Sequence, residues 1–406
     1  MRNNDGGPAR PGSAGSSEDA PRPLVIATIL REEGRTGVHT HVRQLRRYLA
    51  EGGTTTTIVT PFSWGRPLTP VFALRMVLER CGVSAGSVVW YRRSHEVFLY
   101  RALRRTLAQA GDCVVYAQGP LAARAALRAR RSLDQRVVLA VHFRISQADE
   151  WADKGLIPRD GAVFRAIRRL EQEVVPQVDG LMYVSKWARK ALLEWLPEAA
   201  GVPSTVLENF VAPMTVEAGQ ETLADLVTMG HLEPVKNHRY LLEILAEARR
   251  AGRTVTLDVY GEGPLRRDLL AQAVALGLES QVRFLGFRAD ARNFLPRYRA
   301  YVHVSYSESS SLAIIEAMAA GLPIVAADIG PIGELCDDGV EARFWPLNDP
   351  AKAAAILTDL LDNEKIRLNA AAAASARFRR DFDARVIVPR LRSFLLESHS
   401  ATSRLP

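Results

Sequence analysis

Short apolar runs alternate with longer amphipathic stretches along most of this chain. PLVIATIL (23–30), TTTIVTPF (55–62), SVVWYRR (87–93), CVVYAQG (113–119), RVVLAVHF (136–143) and GLMYVSK (180–186) predict strands. Their apolar positions are continuous rather than alternating, the pattern of parallel sheets covered on both faces. VRQLRRYLAEGG (42–53) has helical spacing and closes on a glycine pair, as a helix C-terminus requires. The pattern then restarts. LADLVTMG (223–230), TVTLDVYG (254–261), VRFLG (282–286), AYVHVSYS (300–307) and LPIVAAD (322–328) predict a second set of strands, with helices such as RYLLEILAEARRAG (239–252) between them.

Strands alternating with helices predict an α/β fold of two doubly wound, Rossmann-like domains facing each other across a cleft. The expected divisions are an unstructured tail over 1–22, a first domain over 23–212, a second over 213–385, and a closing helix over 386–406 that packs back on the first. The hinge is expected within VLENFVAPMTVEAGQETLADL (206–226). A length of 406 residues agrees with two cores rather than one.

Composition narrows the class further. The opening stretch MRNNDGGPARPGSAGSSEDAPRP is rich in Gly, Pro, Ser and Ala and has no apolar run, so it is expected neither to order itself nor to act as a secretory signal. No stretch reaches eighteen consecutive apolar residues, so a spanning helix is not expected. Cys81, Cys113 and Cys336 form no metal-ligand or disulfide spacing and read as isolated thiols in a reducing compartment. A cytoplasmic protein with at most a peripheral membrane contact is the expectation.

Charge is uneven. Residues 23–212 carry 27 Lys and Arg against 17 Asp and Glu, whereas residues 213–406 carry 23 against 25. Much of the excess lies in helical segments such as RALRRTL (101–107), RAALRARR (124–131) and RAIRRLEQE (165–173). These read as solvated helix faces, or as a surface attracted to an acidic acceptor or an anionic membrane. Nucleic acid is not expected as a partner, because no aromatic residues interleave with these arginines and no reader motif is present.

In facing α/β domains ligands bind outside the carboxyl ends of the strands, so candidate chemistry is sought there. Strand 223–230 runs into MGHLEPVKNHRYLLEIL, which places Gly230, His231 and Lys236 before a helix. Backbone N–H groups, a helix N-terminus and a fixed cation suit a diphosphate. Strand 254–261 ends in YGEGPLRRDLL, where Gly261 and Gly263 permit a tight turn. Strand 300–307 ends in SESSSLAIIEAMAAGLPIVAAD. A helix beginning near Ser310 or Ser311, with a hydroxyl capping its free N–H groups, puts Glu308 ahead of the first turn and Glu316 inside it. Such acids bracket the helix N-terminus and prefer hydroxyl donors, as on ribose or a sugar.

E-x7-E ahead of AMAAGLPIVA, together with GHLEPVKN, YGEGPLR and VRFLGF, resembles the donor domain of family 4 retaining glycosyltransferases of the GT-B fold, with looser similarity over the first half. The resemblance implies a nucleoside-diphosphate sugar donor in the second domain, a hydroxyl-bearing acceptor (sugar, lipid-linked sugar or natural product) in the first, and no cofactor or metal. It implies that Glu316 holds the ribose, Glu308 the donor sugar and Lys236 the diphosphate. By the same resemblance Gly230, His231, Gly261, Gly263 and the backbone of Ser310, Ser311 and Leu312 are expected to complete the donor site. In EEGRTGVHTHVRQL (32–45), Gly37 matches the loop that approaches donor phosphate or acceptor. His142, ending strand 136–143, matches the histidine beside the reacting sugar. Catalysis is thus expected from His142, Glu308 and Lys236, whereas His39 and His41 read as partly exposed loop or helix-start residues. VSKWARKALLEW (184–195) resembles the strand and helix that precede the hinge.

Two departures stand out. His231 replaces an arginine, and Ser309, Ser310 and Ser311 replace a Gly-Phe-Gly segment. The rival readings are an epimerase or phosphorylase of the same fold, a non-catalytic nucleotide-sugar-binding subunit, and a dinucleotide-dependent oxidoreductase. The last is opposed by the absence of G-x-G-x-x-G after the first strand.

Overall fold

The computed structural model describes residues 22–396 apart from 35, 65–68, 216–218 and 220. Except for Arg22 the expected tail lies outside the described residues, as do residues 397–406 of the closing segment. Two six-stranded sheets, all parallel, form the framework. The first contains β1 (Leu24–Ala27), β2 (Thr56–Val59), β3 (Cys113–Gln118), β4 (Gln135–Val141), β5 (Gly180–Tyr183) and β6 (Ser204–Val206), in the order β2-β1-β3-β4-β5-β6. The second contains β7 (Ala224–Met229), β8 (Leu257–Tyr260), β9 (Val282–Gly286), β10 (Tyr298–His303), β11 (Ile324–Ala326) and β12 (Ala342–Phe344), in the order β12-β11-β10-β7-β8-β9.

Both faces of each sheet are covered, which is why the strands are apolar without alternation. Val25, Ala27, Val115 and Ala117 enter one core of the first sheet, while Leu24, Ile26, Val114 and Tyr116 enter the core on its opposite face. In the second sheet Ala300, Val302 and Val325 point one way and Tyr301, Ile324 and Ala326 the other. The chain passes between the sheets twice at one place. Val211 bridges to Asp383, its N–H donating to the Phe382 carbonyl while its own carbonyl accepts from Ala384. From there the helix Ala384–Leu396 packs Ile387, Val388 and Leu391 beneath the first sheet.

One expected strand is a helix. SVVWYRR (87–93) lies within the helix Ser84–Leu107, whose buried positions include Val88, Arg92, His95, Leu99 and Leu103. That spacing follows the helical period, and a four-residue apolar run cannot by itself distinguish strand from helix. The edge strands β6 and β12 escaped the sequence reading because each is three residues long and partly exposed, whereas β11, equally short, is fully buried and apolar.

Candidate functional site between the strand ends

The carboxyl ends of both sheets face one another. A Cβ on Gly37, the first residue of the helix Gly37–Glu51, would lie 3.2 Å from Leu312 Cδ1, and Leu312 is the first residue of the helix Leu312–Ala319. Two helix N-termini, one from each domain, thus meet at the cleft.

Beyond β10 the loop is drawn toward the end of β7, the Tyr306 N–H donating to the Val235 carbonyl at 2.9 Å. This brings together two groups that the sequence suggested as separate ligands. Lys236 Nζ lies 2.6 Å from Glu308 Oε1, and His303 Nε2 lies 3.1 Å from the same oxygen. The Glu308 side chain is only 8% exposed. Burial works to raise its carboxyl, but the Lys236 charge and His303 outweigh that and bring it down to about 2. Among the described residues no hydrogen bond reaches Oε2, and an ammonium has three donors, so the pair retains an acceptor and donors for a ligand. His238, beginning the next helix, is held down to about 4 by burial and by the charges of Lys236 and His303. His238 is therefore neutral near pH 7.

The helix Leu312–Ala319 has Ser311 at its N-cap, but no side chain makes a capping bond. This corrects the expectation that a serine hydroxyl would cap it: Ser310 Oγ is buried without a partner, and the helix terminus is left open to an anion. Among the described residues no cation forms an ion pair with Glu316, which lies within the helix. Burial raises its carboxyl, with Arg292 and Arg43 opposing. Arg43 comes from the first domain, on the helix Gly37–Glu51.

The glycines of YGEGPLR shape this wall. Gly261 has φ +150°, and a Cβ there would sit 1.8 Å from the Gly230 carbonyl oxygen. A Cβ on Gly263 would come within 2.7 Å of the Leu232 backbone. The loops after β7 and β8 are hydrogen-bonded to one another, Leu232 to Glu262 and Gly230 to Tyr260. Gly261 and Gly263 are required by this backbone contact. His231 is exposed, and among the described residues its side chain makes no hydrogen bond or ion pair.

Across the cleft, His142 follows β4 and its Nε2 is 2.8 Å from Gln118 Oε1, at the end of β3. Burial pushes its ring down to about 4, so it is neutral near pH 7. His41 does not match the expected exposed position. It is buried against Phe210 and edge-on to His142, with Nε2 3.1 Å from the Tyr116 hydroxyl. His39 is half-buried and serves the helix start: its Nδ1 accepts from the Thr36 N–H at 3.3 Å. His303 was missed by the sequence reading. The signal was a polar residue ending an otherwise buried strand, five residues before Glu308.

Cys113 and Cys336 are buried and Cys81 is exposed. Among the described residues no three His, Cys, Asp or Glu side chains cluster as a metal site, and no helix is long and apolar enough to cross a membrane.

Two facing parallel sheets with an anion-receptive helix terminus and a strand-end Lys–Glu pair define a GT-B architecture. The chain belongs to the family 4 glycosyltransferases: the family model described as glycosyl transferase 4-like domain matches residues 36–203, and that described as glycosyl transferases group 1 matches residues 224–363. Glycogen synthase of Mycobacterium tuberculosis is 28% identical over 278 residues, a match covering 66% of this chain and 65% of that protein. Phosphatidyl-myo-inositol mannosyltransferase of Mycobacterium leprae is 27% identical over 355 residues, covering 85% of this chain and 88% of the relative. Among solved structures, sucrose-phosphate synthase from Thermosynechococcus elongatus aligns with TM-score 0.70 at 15% identity, covering 92% of this chain and 98% of that one. HepE of Anabaena, in complex with UDP and glucose, aligns with TM-score 0.66 at 18% identity, covering 92% and 99%. At these identities the structural likeness establishes the fold.

Proposed function

We propose that this chain is a retaining hexosyltransferase: it moves a sugar from a nucleoside-diphosphate sugar, held by the second domain, to an acceptor hydroxyl at the strand ends of the first. The observation that carries the reading is the buried Lys236–Glu308–His303 cluster beside the uncapped N-terminus of the helix Leu312–Ala319. The ammonium and the helix N–H groups supply preorganised positive charge for a departing diphosphate. Glu308 Oε2 accepts from a donor-sugar hydroxyl, and Glu316 from ribose. With its carboxyl at about 2 and Oε1 held by two partners, Glu308 is poorly suited to act as a general acid or covalent nucleophile. That favours departure of the diphosphate and attack from the same face over the two-carboxylate scheme of glycosidases. His142 contributes as a neutral hydrogen-bonding group. Because Lys236 and the helix terminus provide the charge, transfer is expected to persist in EDTA.

Relatives named for glycogen and for phosphatidyl-myo-inositol support polysaccharide or glycolipid acceptors, and glycosylated natural products belong to the same chemistry. UDP in the HepE complex makes UDP-sugars the first donors to test, followed by GDP-sugars. A thermal-shift screen comes first: a donor at 100 times its Kd should add about 2.7 kcal/mol of stability. The cognate donor is then incubated with candidate acceptors, and product configuration is read by NMR. Acceptor-dependent release of nucleoside diphosphate with an unchanged anomeric configuration is expected. Binding without acceptor-dependent release would favour an epimerase or a non-catalytic subunit, and an inverted product would overturn retention.

A cytoplasmic, membrane-peripheral placement is the companion reading. Its support is the helix Thr69–Arg80, where Leu74 and Val77 are exposed one turn apart beside exposed Met76 and Arg80. Flotation with anionic but not neutral vesicles is expected, and equal absence from both would refute the membrane contact.

A further inference from the structure

The helix Lys186–Trp195, which follows β5 in the first domain, is capped largely by the second domain. A helix leaves its first amides without internal partners. Here Ser185, the N-cap, takes the Ala188 N–H at 3.0 Å. The two amides before it are taken across the cleft: the Lys186 N–H donates to Glu334 Oε2 at 2.7 Å, and the Trp187 N–H to Glu334 Oε1 at 2.6 Å. Glu334 lies on the short helical turn Ile332–Leu335 after β11. A carboxylate is well placed at a helix N-terminus, by hydrogen bonding and by the helix dipole.

The same contact reaches the donor loop by two other routes. The Ser185 hydroxyl donates to the Ser309 carbonyl at 3.0 Å, and Ser309 directly follows Glu308. Gly330, at φ +49°, lies under the Trp187 ring: a Cβ there would be 3.5 Å from the ring and 3.6 Å from the Glu308 carbonyl oxygen. Parting the two domains here would free two helix amides and release the carbonyl that anchors the Glu308–Ser310 segment. Beside Glu334 a cavity of about 450 Å³, also lined by Lys186, Glu208, Arg377 and Arg390, separates the domains, so this clasp is a localised contact rather than part of a continuous core.

We infer that Glu334 is a positioning residue: by capping the helix Lys186–Trp195 from the opposite domain, with Ser185 as its counterpart, it registers the first domain against the donor loop and fixes the placement of Glu308 and Ser310. Glu334 acts through that loop and does not touch the ligand. Its rate readout rests on the glycosyltransferase reading, whereas its amide-exchange readout does not.

The test compares wild type with Glu334→Ala, Glu334→Gln and Ser185→Ala. Hydrogen exchange of the 185–190 segment is followed by mass spectrometry, UDP and GDP affinity by calorimetry, and transfer by steady-state kinetics with the cognate pair. Glu334→Ala should speed exchange of the Lys186 and Trp187 amides at least tenfold. It should lower kcat at least tenfold while leaving nucleoside diphosphate Kd within twofold, because that ligand is held inside the second domain. Glu334→Gln, which keeps one accepting oxygen, should recover part of the rate, and Ser185→Ala should lower kcat with the same unchanged Kd. Unchanged exchange in Glu334→Ala would refute the clasp. A transfer rate within twofold of wild type, or a loss in Kd equal to the loss in kcat, would refute positioning. If Glu334→Ala does not fold, Glu334→Gln and Ser185→Ala decide by the same readouts. A wild type that transfers nothing refutes the functional reading, and exchange still judges the clasp.

Discussion

Replacing Glu308 by Gln keeps the shape of the side chain and removes its charge from between Lys236 and His303. The Glu308 carboxyl is displaced from an ordinary 4.5 to about 2, and its side chain is 8% exposed. At about 1.36 kcal/mol per pH unit, that displacement is worth ~3 kcal/mol of folding stability at neutral pH. This lies at the low end of the 3–5 kcal/mol typical of breaking a buried ion pair, because Lys236 is 27% exposed and water can replace part of the interaction. A carboxyl lowered on folding stabilises fully above its unfolded value, and that stability is lost as pH falls toward its folded value. The gap between wild type and Glu308→Gln should therefore be ~3 kcal/mol at pH 7 and fall below half of that by pH 3. Urea unfolding followed by circular dichroism at pH 7, 5, 4 and 3 measures it. A gap under ~1 kcal/mol at pH 7, or one that does not narrow below pH 4.5, would show that the cluster does not hold Glu308 as a stabilised anion.

Lys236→Ala should weaken donor binding by about 1.5–3 kcal/mol, the scale of hydrogen bonds to a charged group, and a calorimetric change under twofold would remove Lys236 from the diphosphate site. Glu316→Ala should cost affinity for free nucleoside diphosphate, whereas Glu308→Ala should spare it and slow transfer; equal losses in UDP or GDP binding would refute the separate roles. Glu171 is buried, with its carboxyl pushed up to about 7 by burial against bonds from Ser146 and Gln147. The folded state therefore retains a proton that the unfolded state loses, and wild-type stability should fall relative to Glu171→Gln between pH 4.5 and 7, with parallel melting profiles refuting this. Gly261→Ala should abolish donor binding without removing any ligand contact, since its Cβ would collide with the Gly230 carbonyl, and near-normal binding would show that the two loops can separate freely.

Both sheets were legible because their central strands, such as β1, β3, β4, β5 and β11, are buried on two faces and therefore carry uninterrupted apolar runs. The first half of the helix Ser84–Leu107 was not, although its last turns, 101–107, read as helical, and the reason is specific. Its inward face includes Arg92, His95 and Glu96, letters that sequence reading assigns to the surface. Each is buried because it finds a partner: Arg92 donates to Gln147 Oε1 at 2.9 Å, His95 Nδ1 pairs with the Tyr91 carbonyl, and Glu96 accepts from Arg124. Two of those partners lie 28 and 55 residues away, so the helical period was hidden by pairings that the local pattern cannot contain.

The site follows the same logic. Parallel sheets bring every strand-end loop to one edge, so Lys236, Glu308 and Glu316 could be assigned to a common region from the pattern alone. Their mutual arrangement could not, since Lys236 and Glu308 are separated by 72 residues and Glu334 and Lys186 by 148. An acid among apolar neighbours needs a partner, and in LAIIEAMAAGLP that argument applies to Glu316. In the fold it applies more strongly to Glu308, which obtains Lys236 and His303 and is held near 2, whereas burial outweighs the opposing charges of Arg292 and Arg43 at Glu316, which is raised. The two acids are thereby tuned in opposite directions. On the proposed reading Glu308 would be an acceptor whose charge does not depend on the ligand, and its contribution would be positional. Glu316 lacks such a partner, so hydroxyl donors from a bound ligand would stabilise its anion more than they would that of Glu308, and its protonation is the one that binding would move.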